Sequence, residues 1–428
     1  MSLLIKNGRL VDPATNRDGI YDILVEKEKI KKIDSNIKGN GKEKVIDAKG
    51  LIIAPGFIDM HVHLREPGQE NKETIESGIM AAAHGGFTSI ACMPNTFPVN
   101  DNRSVTEYII SRANKTGSVN VFPIAAISKN LEGVNITEMA DLVEGGARGF
   151  SDDGKCVMSA DLIRKALEYT KMLDVPIIEH PEDHSISGEG QVNEGFISYK
   201  YGLRGMLSAA EEVIVARDIL LQERINSRLH LTHISTTGSV DLIRNAKGKG
   251  VNVTSDVTPH HLLLNEELIT TYDPVYKMKP PLRTESDRMS LIKGIQDGTI
   301  DAIASDHAPH TFDEKDKEFE YAPFGVIGME TSFSVVYDKL VRTNKIDLKK
   351  MVELFSTNPA KILNLNNRGV LEVEKYADIT IVNPDRKFHI KEENFCSSAN
   401  NCPFLGWKGS GCIEFTIVNG KIAYEYSK

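Results

Sequence analysis

Apolar residues along the chain follow two periods, and the change between them divides it. Near the start, Leu3 to Ile5, Ile20 to Val25, Lys44 to Ile46 and Leu51 to Ile53 read as short strands separated by turn residues. Asn7-Gly8 reads as a hairpin turn. The far end repeats the pattern with Asp378 to Val382, Cys412 to Val418, Asn419-Gly420 and Lys421 to Tyr424. Between these ends, strand-like blocks alternate with amphipathic stretches. The predicted strands are Phe57 to His63, Thr88 to Met93, Val119 to Ala125 and Ala147 to Ser151, then Pro176 to His180, Leu229 to His233, Val251 to Val257 and Asp301 to Ser305. Helical spacing follows at Asn71 to His84, Ser104 to Asn114, Ala160 to Leu173, Ala209 to Gln222 and Gly238 to Lys247. Several of these stretches end near glycine, as helices prefer. Eight strand–helix units are what a (β/α)8 barrel requires. The expected fold is therefore α/β: a (β/α)8 TIM-like barrel over 55–367 and a small β-sandwich domain formed from both chain ends, 1–54 and 368–428.

Composition narrows the picture only a little. A length of 428 residues exceeds one ordinary core and suits a barrel with a second small domain. A net charge of -9 argues against nonspecific nucleic-acid binding, which needs a basic surface. No apolar run approaches the roughly 20 residues that span a bilayer. The N-terminal Met1-Ser2-Leu3-Leu4-Ile5-Lys6 lacks the features of a signal peptide. Five cysteines with no CxxC point to a reducing, cytoplasmic setting rather than a disulfide framework. Cys396, Cys402 and Cys412 cluster, but no histidine flanks them at zinc-finger spacing, so they read as small core or surface residues.

The chemistry concentrates at predicted strand ends. Strand side chains alternate faces, so His61 and His63 in Gly56-Phe57-Ile58-Asp59-Met60-His61-Val62-His63-Leu64-Arg65-Glu66-Pro67-Gly68 point the same way. In a (β/α)8 barrel the active site lies at the C-terminal ends of the strands. There stand Met93-Pro94-Asn95-Thr96, Ser151-Asp152-Asp153-Gly154, Glu179-His180, Thr232-His233 and Ser305-Asp306-His307-Ala308-Pro309-His310. An Asp-Asp-Gly is ordinarily a turn, and one strand-terminal His is ordinarily a satisfied core residue. Six strands ending in such residues on one face are not explained that way. Four histidines and two aspartates are enough donors for two divalent metals, with a carboxylate bridging the pair. The implied chemistry is metal-assisted hydrolysis at a carbonyl.

These segments, with Ala322-Pro323-Phe324-Gly325, resemble the type I bacterial dihydroorotases of the amidohydrolase superfamily, in the family's order through nearly the whole barrel. The resemblance implies that His61, His63 and Asp306 hold one metal, His180 and His233 a second, and that Asp153 bridges both. It also implies two divalent ions, zinc foremost, and a bridging hydroxide with Asp306 as general acid and base. The substrate, N-carbamoyl-L-aspartate or L-dihydroorotate, would meet His63, Leu64, Arg65, Asn95, Lys279, His310, Phe324 and Gly325, with Arg65, Asn95 and His310 on its carboxylate. In Lys277-Met278-Lys279-Pro280-Pro281 the family usually carries Asn where this chain has Lys279. A backbone contact would make that change harmless. A homo-oligomer, and association with aspartate transcarbamoylase, are also implied. The rival readings are a hydantoinase, dihydropyrimidinase or allantoinase, which generally place a carboxylated lysine where Asp153 stands, and an inactive scaffold partner of aspartate transcarbamoylase. Lys155 is the lysine nearest that role. His84, His389 and His260-His261 read as structural or supporting, and the charged run within 311–322 as a surface loop placed where a lid would be.

Overall fold

The structure, a computed structural model, describes residues 2–426. Seven barrel strands are parallel and form two ladders: Phe57–Val62 with Phe87–Cys92, then Leu229–Leu231 between Ile177–Glu179 and Val253–Val257, which pairs with Ala302–Ile303. Asn120–Pro123 extends the first ladder. Three single-residue bridges close the ring. Phe150 pairs with Ala125 on one side and Ile177 on the other, and Val62 pairs with His307. The fourth strand, expected over Ala147 to Ser151, is thus reduced to Phe150, although the Arg148 and Ser151 N–H groups still donate to the Pro123 and Ala125 carbonyls. Phe57, Phe87, Phe333 and Phe355 pack ring against ring between the barrel and its outer helices.

The outer helices follow the apolar spacing. Ala160–Leu173 occupies the predicted span, with Ser159 capping its first turn and Asp174 closing it in a left-handed conformation. Ile75–His84 begins four residues later than predicted, because the Thr74 side chain accepts from the Ser77 N–H and fixes the start there.

The chain ends are hydrogen-bonded into one mixed sheet of eight strands. Its order is Lys421–Glu425, Lys408–Val418, Ile379–His389, Ile52–Pro55, Ser2–Asp12, Arg17–Glu26, Lys29–Asp34, with Lys44–Asp47 also on Ser2–Asp12. Ile52–Pro55 is the seam, antiparallel to Ile379–Val382 and parallel to Arg9–Leu10. Ile5, Ile23, Ile53, Ile379 and Ile417 are fully buried in a core of their own. The two Asn-Gly pairs differ. Asn419-Gly420 makes the tight turn before Lys421, both residues at positive φ. Asn7-Gly8 is no turn but a bulge inside Ser2–Asp12, where the register shifts between Ile5 and Gly8. Cβ-less Gly8 lets Ile53 and Ala48 pack against the bulge. All five cysteines are unpaired. No helix among the described residues is long and apolar enough to cross a membrane.

Candidate active site

Asp153 lies at the centre of the barrel mouth. One carboxylate oxygen is 3.2 Å from His180 Nδ1 and 3.5 Å from His233 Nε2. The other is 3.3 Å from His61 Nε2 and 3.5 Å from His63 Nε2. A second carboxylate, Asp306, faces the latter pair alone, its Oδ1 3.2 Å from His63 and 3.5 Å from His61. Six side chains from strand ends far apart in sequence thus converge on one buried point.

The imidazoles are aimed by a layer behind them. Asp256 Oδ2 receives the Thr232 hydroxyl at 3.0 Å, so that hydroxyl accepts from His61 Nδ1, 2.8 Å away. His61 is thereby fixed with Nε2 turned inward, toward the two carboxylates. His230 steadies Asp256 from the far side at 2.9 Å. Asn95 Oδ1 does the same for His63 Nδ1 at 2.8 Å. Below them Asp59 accepts the His61 and Ser305 N–H groups, joining the first and last barrel strands. Arg65, His233 and Asp306 all have positive φ, a left-handed conformation unusual for residues with side chains and typical of functional sites.

Electrostatics favour a cation here. Burial alone would raise the Asp153 carboxyl, but His61, His180 and His233 outweigh it and hold it well below the usual carboxylate range. The same contest leaves Asp306 below that range, through His61 and His63. Burial lowers His61, yet Asp153 and Asp306 carry it up to about 10. His61 Nε2 and His233 Nδ1 are buried without a hydrogen-bond partner among the described residues. Buried imidazoles packed against two ionised carboxylates, with nitrogens left unpartnered, are a donor set that fits divalent metal.

On the solvent side lies a cavity of about 350 Å³, lined among others by Arg65, Asn95, Lys279, His310, Phe324 and Gly325. Arg65 is buried. Its Nε donates to the Pro309 carbonyl at 3.1 Å, and burial lowers the guanidinium to about 10, still charged at neutral pH. His310 lies 3.4 Å from Arg65 Nη2 and 2.9 Å from the Phe324 carbonyl. Burial and the charge of Arg65 push it down to about 3. Gly325 has φ 127°, and a Cβ there would sit 2.8 Å from Ala308 and 3.2 Å from His310, so only glycine fits.

Two of the expected substrate-facing residues are placed in ways the sequence did not specify. The Leu64 side chain does not face the cavity; it is buried against Gly78 of helix Ile75–His84, which leaves only its backbone for a ligand. Lys279 is not a bystander to its own backbone. Its Nζ is 2.9 Å from Glu182 Oε1, and the other Glu182 oxygen is 3.2 Å from His180 Nε2, so the side chain reaches the donor cluster through one carboxylate. Lys155, the lysine nearest a carboxylated role, donates to the Leu131 carbonyl at 3.2 Å, away from the cluster. His261 is tied to Thr258 and to the Pro280 carbonyl.

Sequence reasoning missed several residues that hold the site. Asp256 stands one residue before the end of its strand and carries the same strand-end signal as the others. Glu182 follows His180 by two residues, as His63 follows His61. Asn401 gave no signal at all. It comes from the connection 390–407, which runs along helix Ile75–His84 to the barrel mouth. Glu73 takes Ser397 Oγ at 2.5 Å and the Ser398 N–H at 3.1 Å. Asn401 then donates to the Ala308 and Gly325 carbonyls and accepts the His310 N–H.

Known structures share this architecture. L-Hydantoinase (dihydropyrimidinase) from Arthrobacter aurescens superposes with a TM-score of 0.91 at 25% identity, covering 100% of this chain and 96% of that chain. Dihydropyrimidinase from Brevibacillus agri NCHU1002 gives 0.87 at 24%, over 99% and 95%, a likeness of fold alone. Barrel, joined end sheet and buried His–Asp cluster are those of the amidohydrolases that act on cyclic amides. A dihydro-orotase-like family model matches residues 50–239. Dihydroorotase of Geobacter metallireducens is 48% identical over 425 residues, 99% of this chain and 100% of that protein. Dihydroorotase of Thermoanaerobacter sp. is 48% identical over 99% of this chain and 98% of its own length. The chain belongs to the dihydroorotase family.

Proposed function

We propose that the protein catalyses the reversible closure of N-carbamoyl-L-aspartate to L-dihydroorotate. The observation that carries this reading is the position of Asp153, one oxygen toward His180 and His233, the other toward His61 and His63, below a cavity that holds Arg65 and His310. His61, His63 and Asp306 would hold one divalent ion, His180 and His233 another, and Asp153 both, with zinc the metal proposed. When bound, such ions polarise a carbonyl and acidify a water.

In the hydrolytic direction Asp306 accepts one proton of the attacking water as the C–O bond forms, and the other is released to solvent. Asp306 delivers the proton it accepted to the ring nitrogen as the C–N bond breaks, leaving a carboxylate and a carbamoyl NH2. A carboxyl held below its usual range enters the reaction unprotonated. The planar fork of Arg65 suits the substrate carboxylate, and two burdens fall on Asn95: its oxygen aims His63, and its NH2 is left for the ligand. Uncharged cyclic amides offer Arg65 nothing, which is how this site separates dihydroorotate from hydantoin. Purified protein given dihydroorotate, N-carbamoyl-aspartate, hydantoin, dihydrouracil and allantoin in parallel tests the reading. Faster turnover of any uncharged ring would overturn it.

The same reading assigns the barrel to 55–367 and the end domain to 1–54 with 368–428, supported by the separate core of the end sheet. Limited proteolysis, with the fragments mapped by mass, tests these bounds. A cytoplasmic homo-oligomer that associates with aspartate transcarbamoylase completes it, to be checked by sedimentation of the protein alone and mixed with that enzyme.

A further inference from the structure

Away from the barrel mouth, three donors of different chemistry meet. His84 ends helix Ile75–His84, Glu330 stands in the first turn of helix Met329–Val336, and Cys396 lies on the connection 390–407. Their ligand atoms, one imidazole nitrogen, one carboxylate oxygen and one sulfur, all lie within 4.8 Å of one another. We propose that His84, Glu330 and Cys396 form a second, separate site for a single divalent metal of the zinc type.

The donors are held as a site requires. The Glu330 side chain is almost wholly buried and is fixed by backbone: the Cys396 N–H reaches its two oxygens at 3.1 and 2.9 Å, and the Ser397 N–H reaches Oε1 at 3.1 Å. His84 Nδ1 hydrogen-bonds Glu330 Oε2. The edge of the His84 ring packs on Tyr424, with ring centres 5.0 Å apart. These contacts set the imidazole and the carboxylate before any ion arrives. A cavity of about 350 Å³ opens beside them, lined also by Cys412 and Tyr424, and leaves room for a fourth ligand. Two lysines share that cavity. Lys387 is engaged with Ser410 and Lys391 with Glu393, so neither amine is aimed at the donors.

One thiolate, one imidazole and one carboxylate form a mixed set that zinc and cobalt accept and that magnesium and calcium, as hard ions, do not favour. Binding releases the thiol proton of Cys396 and the proton shared by His84 and Glu330. The pattern escaped the sequence because the histidine and the cysteine are far apart along the chain, with no local spacing to betray them. A metal here would fasten the start of the segment that ends in Asn401, the residue that holds Gly325 and His310.

Cobalt distinguishes this site from the barrel cluster, whose donors include no sulfur. Full-length protein stripped of metal and titrated with Co(II) should develop a thiolate-to-cobalt charge-transfer band in the near ultraviolet, beside the visible bands of the barrel ions. Cys396→Ser should abolish the charge-transfer band and His84→Gln should weaken the affinity behind it at least tenfold. Cys412→Ser should leave it in place. Visible bands preserved in each variant show that it has folded. No charge-transfer band in the wild type at excess Co(II) would reduce the three residues to a hydrogen-bonded cluster. A band that survives Cys396→Ser would assign the thiolate to another cysteine. Either result overturns the proposal.

Discussion

His61, His180 and His233 stand at the ends of barrel strands, whereas Arg65, His310 and Gly325 stand on loops, and the two groups are kept in position by different means. The first group inherits its aim from strand geometry and from one layer of neighbours such as Thr232 and Asn95. The second depends on cross-links from remote segments. Lys315 donates to the carbonyls of Lys277, Pro323 and Gly325, Lys277 to those of Phe319 and Glu320, and Asn401 to those of Ala308 and Gly325. Donors that suit a cation are built into the barrel, and the loop half of the cavity is fastened onto it by remote segments. Damage to the first half should therefore stop the reaction, while damage to the second should change what is bound and how well.

The largest effect belongs to the barrel half. Asp306→Asn removes the proposed proton acceptor, and turnover should fall about 10³-fold. Metal content must be measured on the same sample, since Asp306 also faces His61 and His63. Wild-type turnover at full metal occupancy would take the general-base role away from Asp306. Arg65→Ala comes next and belongs to the other half. Losing a charge-assisted fork should cost about 2 kcal/mol, roughly 30-fold in kcat/KM for dihydroorotate, with metals retained. Loss of metal from this variant would break the division between the halves.

Asn401→Ala sharpens the comparison, because it touches no substrate and no metal donor. Three hydrogen bonds that hold Gly325, Ala308 and His310 go with it, each of about 1 kcal/mol at most in net terms. About tenfold should be lost in kcat/KM, chiefly as a raised KM. A fall in kcat alone would mean that the loops serve the chemistry rather than binding. Lys279→Asn straddles the two halves through Glu182 and His180. A few-fold change in kcat/KM for dihydroorotate is expected, and an unchanged value would return Lys279 to a backbone role only. The smallest effect should be that of Lys155→Ala. Its side chain points to Leu131, so both metals should stay, and stripped enzyme should recover full activity in bicarbonate-free buffer. A need for bicarbonate would make Lys155, not Asp153, the bridge.

The same division explains what could be read from the sequence. Strand ends in a parallel barrel share one face, so His61, His63, Asp153, His180, His233 and Asp306 were legible as a cluster from period and position alone. The eight-unit alternation gave the barrel in the same way, although the fourth strand shrank to the single bridging residue Phe150, with the Asp153-Gly154 turn close behind it. Arg65, Asn95 and His310 stood among the polar strand ends, but their role toward substrate, and Phe324 and Gly325 altogether, came only through family resemblance. Asn401 came through neither, since a polar residue in an irregular connection has no periodicity to reveal which carbonyls it will meet. Asn7-Gly8 failed for a related reason. The dipeptide specifies positive φ, and both a turn and a bulge use it; the long-range pairing of Ser2–Asp12 decided between them.

The sheet that joins the two chain ends has a consequence for how the molecule is made. Ile52–Pro55 has one neighbour, Ser2–Asp12, that leaves the ribosome before it, and another, Ile379–His389, that leaves after the whole barrel. At about 5–20 residues per second, its second edge waits for roughly 16 to 65 seconds. Throughout that time the nascent chain exposes a strand edge whose residues are all buried in the finished fold. Such an edge invites pairing with other chains, and Pro55, which has no N–H to donate, is one residue there that limits it. Synthesis interrupted just before Ile379 should consequently yield chains that aggregate or stay with chaperones, and pelleting of ribosome-released fragments would measure it. Soluble, monodisperse fragments of that length would show that the first half of the sheet guards itself.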